Sequence, residues 1–261
     1  MVDDAVVGLR GAGKRYRWGG PWVLRDVDVA LEPGRIVEVR GSNGSGKSTL
    51  LRLLAGATMP SRGERVAAAG VTVGYGPERL APPPPFSVAA YLRRHVRLRG
   101  LSGAEGERRT GALVERLGLG ALTAERLEAL SKGSLQKVVL VQALLGEPRL
   151  AVLDEPYAGL DGEAQDAVRG LIAEQAAAGR TVVFSDHRPH VAAPSVADRV
   201  WRIEDGRVAT GETIEGDVVD LAVAAEDGDA ELASLLARGW HVVSYAEGRG
   251  DTPARIRARR P

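Results

Sequence analysis

The chain has 261 residues, 44% of them hydrophobic, with 35 Lys and Arg against 34 Asp and Glu for a formal net charge of +1. That length suits one large α/β domain, or one domain with a small appendage, and the hydrophobic fraction suits a real core. Balanced charge excludes a global field that recruits nucleic acid, and the absence of cysteine excludes disulfides, thiolate metal sites and cysteine nucleophiles.

Ala5 to Leu9 and Val23 to Leu31 are predicted strands. In the second, Val27, Val29 and Leu31 alternate with Asp26, Asp28 and Ala30, the period of a half-solvated strand. Between them lies Lys14-Arg15-Tyr16-Arg17-Trp18. One of its two aromatics, with Tyr16 as the candidate, either stacks on an adenine ring or is an ordinary turn aromatic. Glu32-Pro33-Gly34 then turns the chain into Arg35-Ile36-Val37-Glu38-Val39-Arg40, a further predicted strand.

Gly41-Ser42-Asn43-Gly44-Ser45-Gly46-Lys47-Ser48-Thr49 follows, and Leu50 to Ala55 continues as a buried helix. Strand, glycine-rich loop and helix in that order make a phosphate-binding P-loop. Glycines let successive backbone N–H groups turn toward one anion. The helix adds roughly half a positive charge at its N-terminus. Lys47 reaches the β- and γ-phosphates, and the Ser48 hydroxyl is placed to ligand Mg²⁺. A turn that merely joins strand to helix does not need the full pattern, so the motif implies a bound nucleoside triphosphate.

Pro60-Ser61-Arg62-Gly63-Glu64 reads as a turn and Val71 to Tyr75 as a short strand ending at Gly76-Pro77-Glu78. Ala81 to Pro85 is too proline-rich for helix or central sheet and is expected to be a stiff extended connector. Residues 87–146 are helical in pattern, an insertion into a sheet-based domain. Within Leu130-Ser131-Lys132-Gly133-Ser134, Ser131 is a predicted helix N-cap. Leu150 to Leu153 is an apolar strand ending in Asp154-Glu155; residues 162–178 are helical; Thr181 to His187 is another apolar strand with a polar end. Strands alternating with helices predict a parallel sheet whose C-terminal edge carries the chemistry. The carboxylate pair at a strand end serves either catalysis or capping. Beyond about Glu212, a strand over 218–222, a helix over 230–238 and a strand over 241–245 predict a small β-α-β appendage. The basic segment Arg255 to Arg260 is expected to be a frayed, flexible tail.

His95, His187, His190 and His241 are too scattered for a zinc site. No apolar run approaches the ~20 residues that span a bilayer. Met1-Val2-Asp3-Asp4 lacks the basic start and apolar segment of a signal peptide. A soluble, cytoplasmic protein is expected, with other chains supplying any membrane part.

From about Val6 to Val208 these motifs, in this order and spacing, resemble the nucleotide-binding domain of ATP-binding cassette (ABC) proteins. The resemblance rests on the P-loop, on Leu130 to Ser134 in place of the signature segment, and on the strand ending in Asp154-Glu155. It also rests on Ala158-Gly159-Leu160-Asp161, similar to the D-loop, and on His187, similar to the switch histidine. It implies a P-loop NTPase with a mostly parallel core sheet, an N-terminal antiparallel β subdomain and an inserted helical subdomain, over residues 1–211, the helical part at about 79–148. It implies a head-to-tail dimer, homodimeric or with a second ABC ATPase, holding two ATPs. Each ATP lies between one P-loop and the partner's Ser131, Lys132, Gly133 and Ser134. Asp154 joins Ser48 at Mg²⁺, Glu155 is the general base, and His187 contacts the γ-phosphate.

Three positions depart from the family pattern. Glu78 stands at the Q-loop position, where a carboxylate either ligands the metal or repels nucleotide. Lys132 and Ser134 replace the usual signature glycine and glutamine. Lys47, Asp154 and Glu155 are kept, so an active ATPase is expected. The resemblance implies the energy-coupling subunit of an ABC transporter on the inner face of the cell membrane, working with separate transmembrane permease subunits and no nucleic acid. The Leu-Ser-Lys-Gly form and short appendage favour export. A soluble ABC ATPase of translation or DNA repair is the alternative, without the second cassette, coiled coil or zinc module usual there. A small-molecule P-loop kinase leaves the signature segment and Asp161 without purpose.

Overall fold

The computed structural model describes residues 5–80, 83–186, 196–213, 218–237, 241–246 and 254–259. These form two compact units. The first comprises the described residues up to 186 together with 197–212; the second comprises residue 196 and those from 213 onward.

The first unit begins with β1 (Val7–Lys14) and β2 (Leu24–Leu31), paired antiparallel with Val7 opposite Leu31 and Leu9 opposite Val29. The far edge of β1 pairs with β4 (Arg62–Ala67), completing a three-stranded antiparallel sheet in the order β2-β1-β4. Sequence reading made residues 60–64 a turn, and the structure corrects this. Arg62-Gly63-Glu64-Arg65 has no apolar alternation of its own, and the ladder offered by β1 makes it a strand. Gly63 is needed there: its φ is +72° and a Cβ would sit 2.3 Å from the Gly11 carbonyl oxygen.

The core sheet contains β3 (Ile36–Arg40), β5 (Val73–Gly76), β6 (Leu150–Leu153), β7 (Thr181–Ser185), β8 (Arg199–Glu204) and β9 (Arg207–Thr213). Their order is β5-β6-β7-β3-β8-β9, and the pairs from β5 through β8 are parallel. Parallel neighbours need crossovers, which bury both faces and permit continuous apolar strands. Leu150 to Leu153 and Thr181 to Ser185 are buried throughout. Asp205-Gly206, with φ of +49° and +73°, makes the two-residue turn from β8 to β9. Helix α1 (Lys47–Ala55) packs Leu50, Leu51, Leu53 and Leu54 into a core shared with Val37, Val39, Val152, Val183 and Trp201. Each such side chain contributes about 1.5–3 kcal/mol on burial. Glu38 is the charged exception in β3, fully buried and gripped by Arg40 through bonds of 2.6 and 2.9 Å.

The helical insertion consists of α2 (Val88–Leu98), α3 (Gly103–Arg116) and α4 (Lys132–Leu144). Ser87, Ser102 and Ser131 cap them, each hydroxyl accepting from the backbone N–H three residues on. Close packing selects small residues: a Cβ on Gly106 of α3 would lie 2.1 Å from Val96 of α2. One on Gly74 of β5 would lie 1.9 Å from the Ala143 carbonyl oxygen of α4. Of the predicted proline connector, Ala81 and Pro82 lie outside the described residues. Helix α5 (Gly162–Ala177) links β6 to β7. Among the described residues no helix is long and apolar enough to cross a membrane.

The second unit contains β10 (Val218–Val223), α6 (Gly228–Ala237), β11 (His241–Ala246) and β12 (Ala254–Arg259). Its sheet order is β10-β12-β11, with β12 antiparallel to both neighbours. The basic stretch expected to be a flexible tail is therefore the middle strand over 254–259. Its arginines alternate with Ala254 and Ile256, which are buried, and that period of two was hidden beneath the charge run.

Candidate active site

Parallel register brings the C-terminal ends of four strands level. Gly76 of β5 stands beside Leu153 of β6, Leu153 beside Phe184 of β7, and Ser185 beside Val39 of β3. The residues that follow those ends, Glu78, Asp154-Glu155, Asp186 and Gly41 to Gly46, therefore share one edge of the sheet.

Gly41 leaves β3 where a Cβ would meet the Ser45 hydroxyl at 2.5 Å and the Ile203 carbonyl oxygen at 2.9 Å, so only glycine fits. Gly46 caps α1 in the left-handed region at φ +110°. The first turn of α1 carries no acidic residue, so its partial positive charge is left for an external anion. Lys47 is buried, and its Nζ donates to the carbonyl oxygens of Gly41 and Ser42 at 2.8 and 3.1 Å. Its charge is thus held over the loop, among Ser42, Asn43, Gly44 and Ser45. A cavity of about 990 Å³ adjoins the loop, walled by residues 41–45, by Trp22, Val23 and Arg25, and by residues 202–206. That size falls within the range of small-molecule sites.

Asp154 is 1% exposed. Its Oδ1 accepts from the Ser185 hydroxyl at 2.8 Å, whereas its buried Oδ2 has no hydrogen-bond partner among the described residues. Burial pushes the carboxyl above its ordinary pKa; the Ser185 and Ser48 hydroxyls oppose that rise and the charge of Glu78 adds to it. A buried carboxylate oxygen with no donor in hydrogen-bond range among the described residues, together with the nearby Ser48 hydroxyl, is a hard oxygen pair suited to a divalent cation. Among the described residues no group of three or more His, Cys, Asp and Glu could hold a metal alone, so phosphate oxygens would complete the shell. Glu155 comes next with φ +52°. Its N–H donates to Ser185 Oγ at 3.0 Å. Glu78 sits at the neighbouring strand end, with Oε1 accepting from Arg79 at 3.2 Å.

The segment over 130–134 opens α4. Ser131 Oγ accepts from the Ser134 N–H at 3.1 Å and donates to Ser134 Oγ at 2.9 Å. Lys132 stands in a first turn that contains no acid. Gly133 is there for space, because a Cβ would be 2.4 Å from the Gly159 carbonyl oxygen. Asp161 caps α5, its Oδ1 accepting from Ala164 N–H at 2.8 Å. Tyr16 is 56% exposed, off the wall of the cavity, with its hydroxyl 3.1 Å from Oγ1 of Thr49 in the first turn of α1. His187 lies outside the described residues.

Sequence reading missed Ser185 and Gln136. Ser185 sits at the end of an apolar strand, where its hydroxyl serves both Asp154 and Glu155. Gln136, 5% exposed in α4, donates through Nε2 to the Glu155 carbonyl oxygen at 3.2 Å. The signal was partial: each directly follows an apolar residue, Phe184 or Leu135, on a largely apolar element, and a polar residue that becomes buried must find a partner.

A family model described as ABC transporter matches residues 24–158. The chain is 35% identical over 210 residues to the zinc import ATP-binding protein ZnuC of Halorhodospira halophila, covering 80% of this chain and 77% of that protein. It is 36% identical over 221 residues to a macrolide export ATP-binding/permease protein MacB of Paracoccus denitrificans, covering 78% of this chain and 33% of that protein. Among solved structures, an ATP-binding subunit of an ABC transporter superposes with a TM-score of 0.71 at 31% identity, covering 80% of this chain and 90% of that one.

Proposed function

The chain belongs to the ABC transporter ATP-binding family, and from that premise we propose that it hydrolyses ATP as one half of a head-to-tail dimer that drives separate permease subunits. The observation that carries this reading is the meeting of the acid-free N-terminus of α1 with Asp154, whose buried Oδ2 has no partner among the described residues. One would take phosphates, the other a divalent cation.

In this reading the loop N–H groups and Lys47 bind the β- and γ-phosphates. Ser48 and Asp154 would hold Mg²⁺, which would offset the negative charge of the phosphates. Glu155, fixed next to Asp154 by Ser185, orients the attacking water and takes its proton. Ser131 to Ser134 present a second acid-free helix end with no room for a side chain at Gly133. Such a terminus suits the γ-phosphate of a facing subunit. His187 completes the γ-phosphate contacts by family resemblance. Tyr16 reaches the base from the loop after β1, and Asp161 positions the D-loop by capping α5. The named relatives include an importer and an exporter, so direction resides in the permease subunits rather than in this edge of the sheet.

Mg²⁺-dependent ATP hydrolysis that Lys47→Ala abolishes, together with co-purification with a polytopic membrane protein, is the expected result. Co-purification with ribosomes or DNA instead would overturn the transport assignment and leave the ATPase.

A further inference from the structure

Glu155 occupies the left-handed region at φ +52°, a conformation that is strained for a side-chain-bearing residue. Such a residue persists only where its surroundings hold it. Its N–H is held by Ser185 at the end of β7. Its carbonyl oxygen accepts from Ala158 N–H at 3.1 Å, closing the turn, and from Gln136 Nε2. Gln136 is buried about one and a half turns beyond the Ser131 cap of α4. The first turn of the same helix leans on the other end of the same loop, where Gly133 faces the Gly159 carbonyl oxygen too closely for any Cβ. Helix α4 thus touches the 155–160 loop at both ends, once by packing and once by a directed hydrogen bond.

We propose that Gln136 is a positioning residue that couples the N-terminus of α4 to the Glu155 turn within one subunit. On the dimer reading above, which this inference requires, the end of α4 receives the facing subunit's nucleotide while Glu155 acts on the subunit's own. The Gln136 amide therefore makes hydrolysis at one ATP sensitive to occupancy of the other. A rigid helix carries a small displacement of its first turn to Nε2, and the Glu155 carbonyl moves with it. Misplacing a reacting group by about 1 Å can cost about a hundredfold in rate, so a modest shift of this turn is enough to gate the step. The own P-loop, formed by β3 and α1, is untouched.

The test compares wild type, Gln136→Met and Gln136→Glu in ATP titrations of the full chain. Gln136→Met keeps the shape and removes the donor. Its kcat should fall about tenfold, with KM for ATP within about twofold of wild type and the Hill coefficient moving toward unity. Gln136→Glu places a carboxylate against the carbonyl oxygen at neutral pH and a donor once protonated. Its rate relative to wild type should climb as pH falls, while that of Gln136→Met stays flat. A Gln136→Met protein with wild-type kcat and cooperativity overturns the coupling, as does one that loses ATP affinity in step with kcat. Wild-type protein that forms no ATP-dependent dimer overturns the dimer reading itself, and that control distinguishes the two failures.

Discussion

Replacing Ser185 with alanine removes one hydroxyl that serves two neighbours. It donates to Oδ1 of Asp154 at 2.8 Å and accepts from the Glu155 N–H at 3.0 Å. Ser185 is fully buried and Asp154 nearly so, so water does not readily take its place. A hydrogen bond to a charged acceptor contributes about 1.5–3 kcal/mol, and a buried donor stripped of its partner costs about 1–3 kcal/mol. Some relaxation of the turn recovers part of the sum, which leaves about 3 kcal/mol of lost stability. That is a large share of the roughly 5–15 kcal/mol that keeps a domain folded. Urea unfolding of the nucleotide-free protein measures it, as a lower midpoint with unchanged slope. Hydrolysis should fall as well, since the same hydroxyl fixes the Glu155 turn. A stability loss below about 1 kcal/mol would refute the claim that Ser185 braces both carboxylate residues.

Gly133→Ala should abolish ATP-dependent dimerisation while leaving nucleotide binding to the P-loop within about twofold, because its Cβ would displace the carbonyl of Gly159; sedimentation and nucleotide titration separate the two effects. Gly74→Ala should destabilise the fold by about 3 kcal/mol in urea, since its Cβ would fall 1.9 Å from the Ala143 carbonyl oxygen. Burial raises the Asp154 carboxyl, so the folded state binds that proton more tightly than the unfolded one. Its contribution to stability is present at low pH and is lost as pH rises through the raised value. Asp154→Asn should therefore melt higher than nucleotide-free wild type at neutral pH, with the gap closing toward about pH 4.

The legible parts of this chain were those where a local pattern and a local structure coincide. The run from Ile36 to Leu54 spells strand, glycine loop and buried helix, and Ser131 announces the start of α4 three residues before the backbone N–H it receives. Apolar strands ending in Asp154-Glu155 and in Ser185-Asp186-His187 predicted a parallel sheet with its chemistry along one edge, and register brings Asp154 and the overlooked Ser185 there, while His187 lies outside the described residues. What escaped was set by partners distant in sequence. The strand over 62–67 exists because β1 offers an edge, and the strand over 254–259 because two neighbours flank it. Gln136 could be recognised as buried and polar, but its partner, the carbonyl of residue 155, follows only from the packing of α4 on the sheet. Likewise the need for glycine at 133 is a contact with residue 159 and not a property of the turn it occupies.

The composite, two-subunit ATP site is tested most directly by size-exclusion chromatography of Glu155→Gln protein with and without Mg-ATP. Removing the carboxylate while keeping its shape should trap ATP unhydrolysed and shift the chain from monomer to dimer. Adding Ser131→Arg, which fills the end of α4, should return it to monomer with ATP still bound. A dimer that forms equally without nucleotide, or one indifferent to Ser131→Arg, would contradict the assignment of the α4 terminus to the partner's ATP.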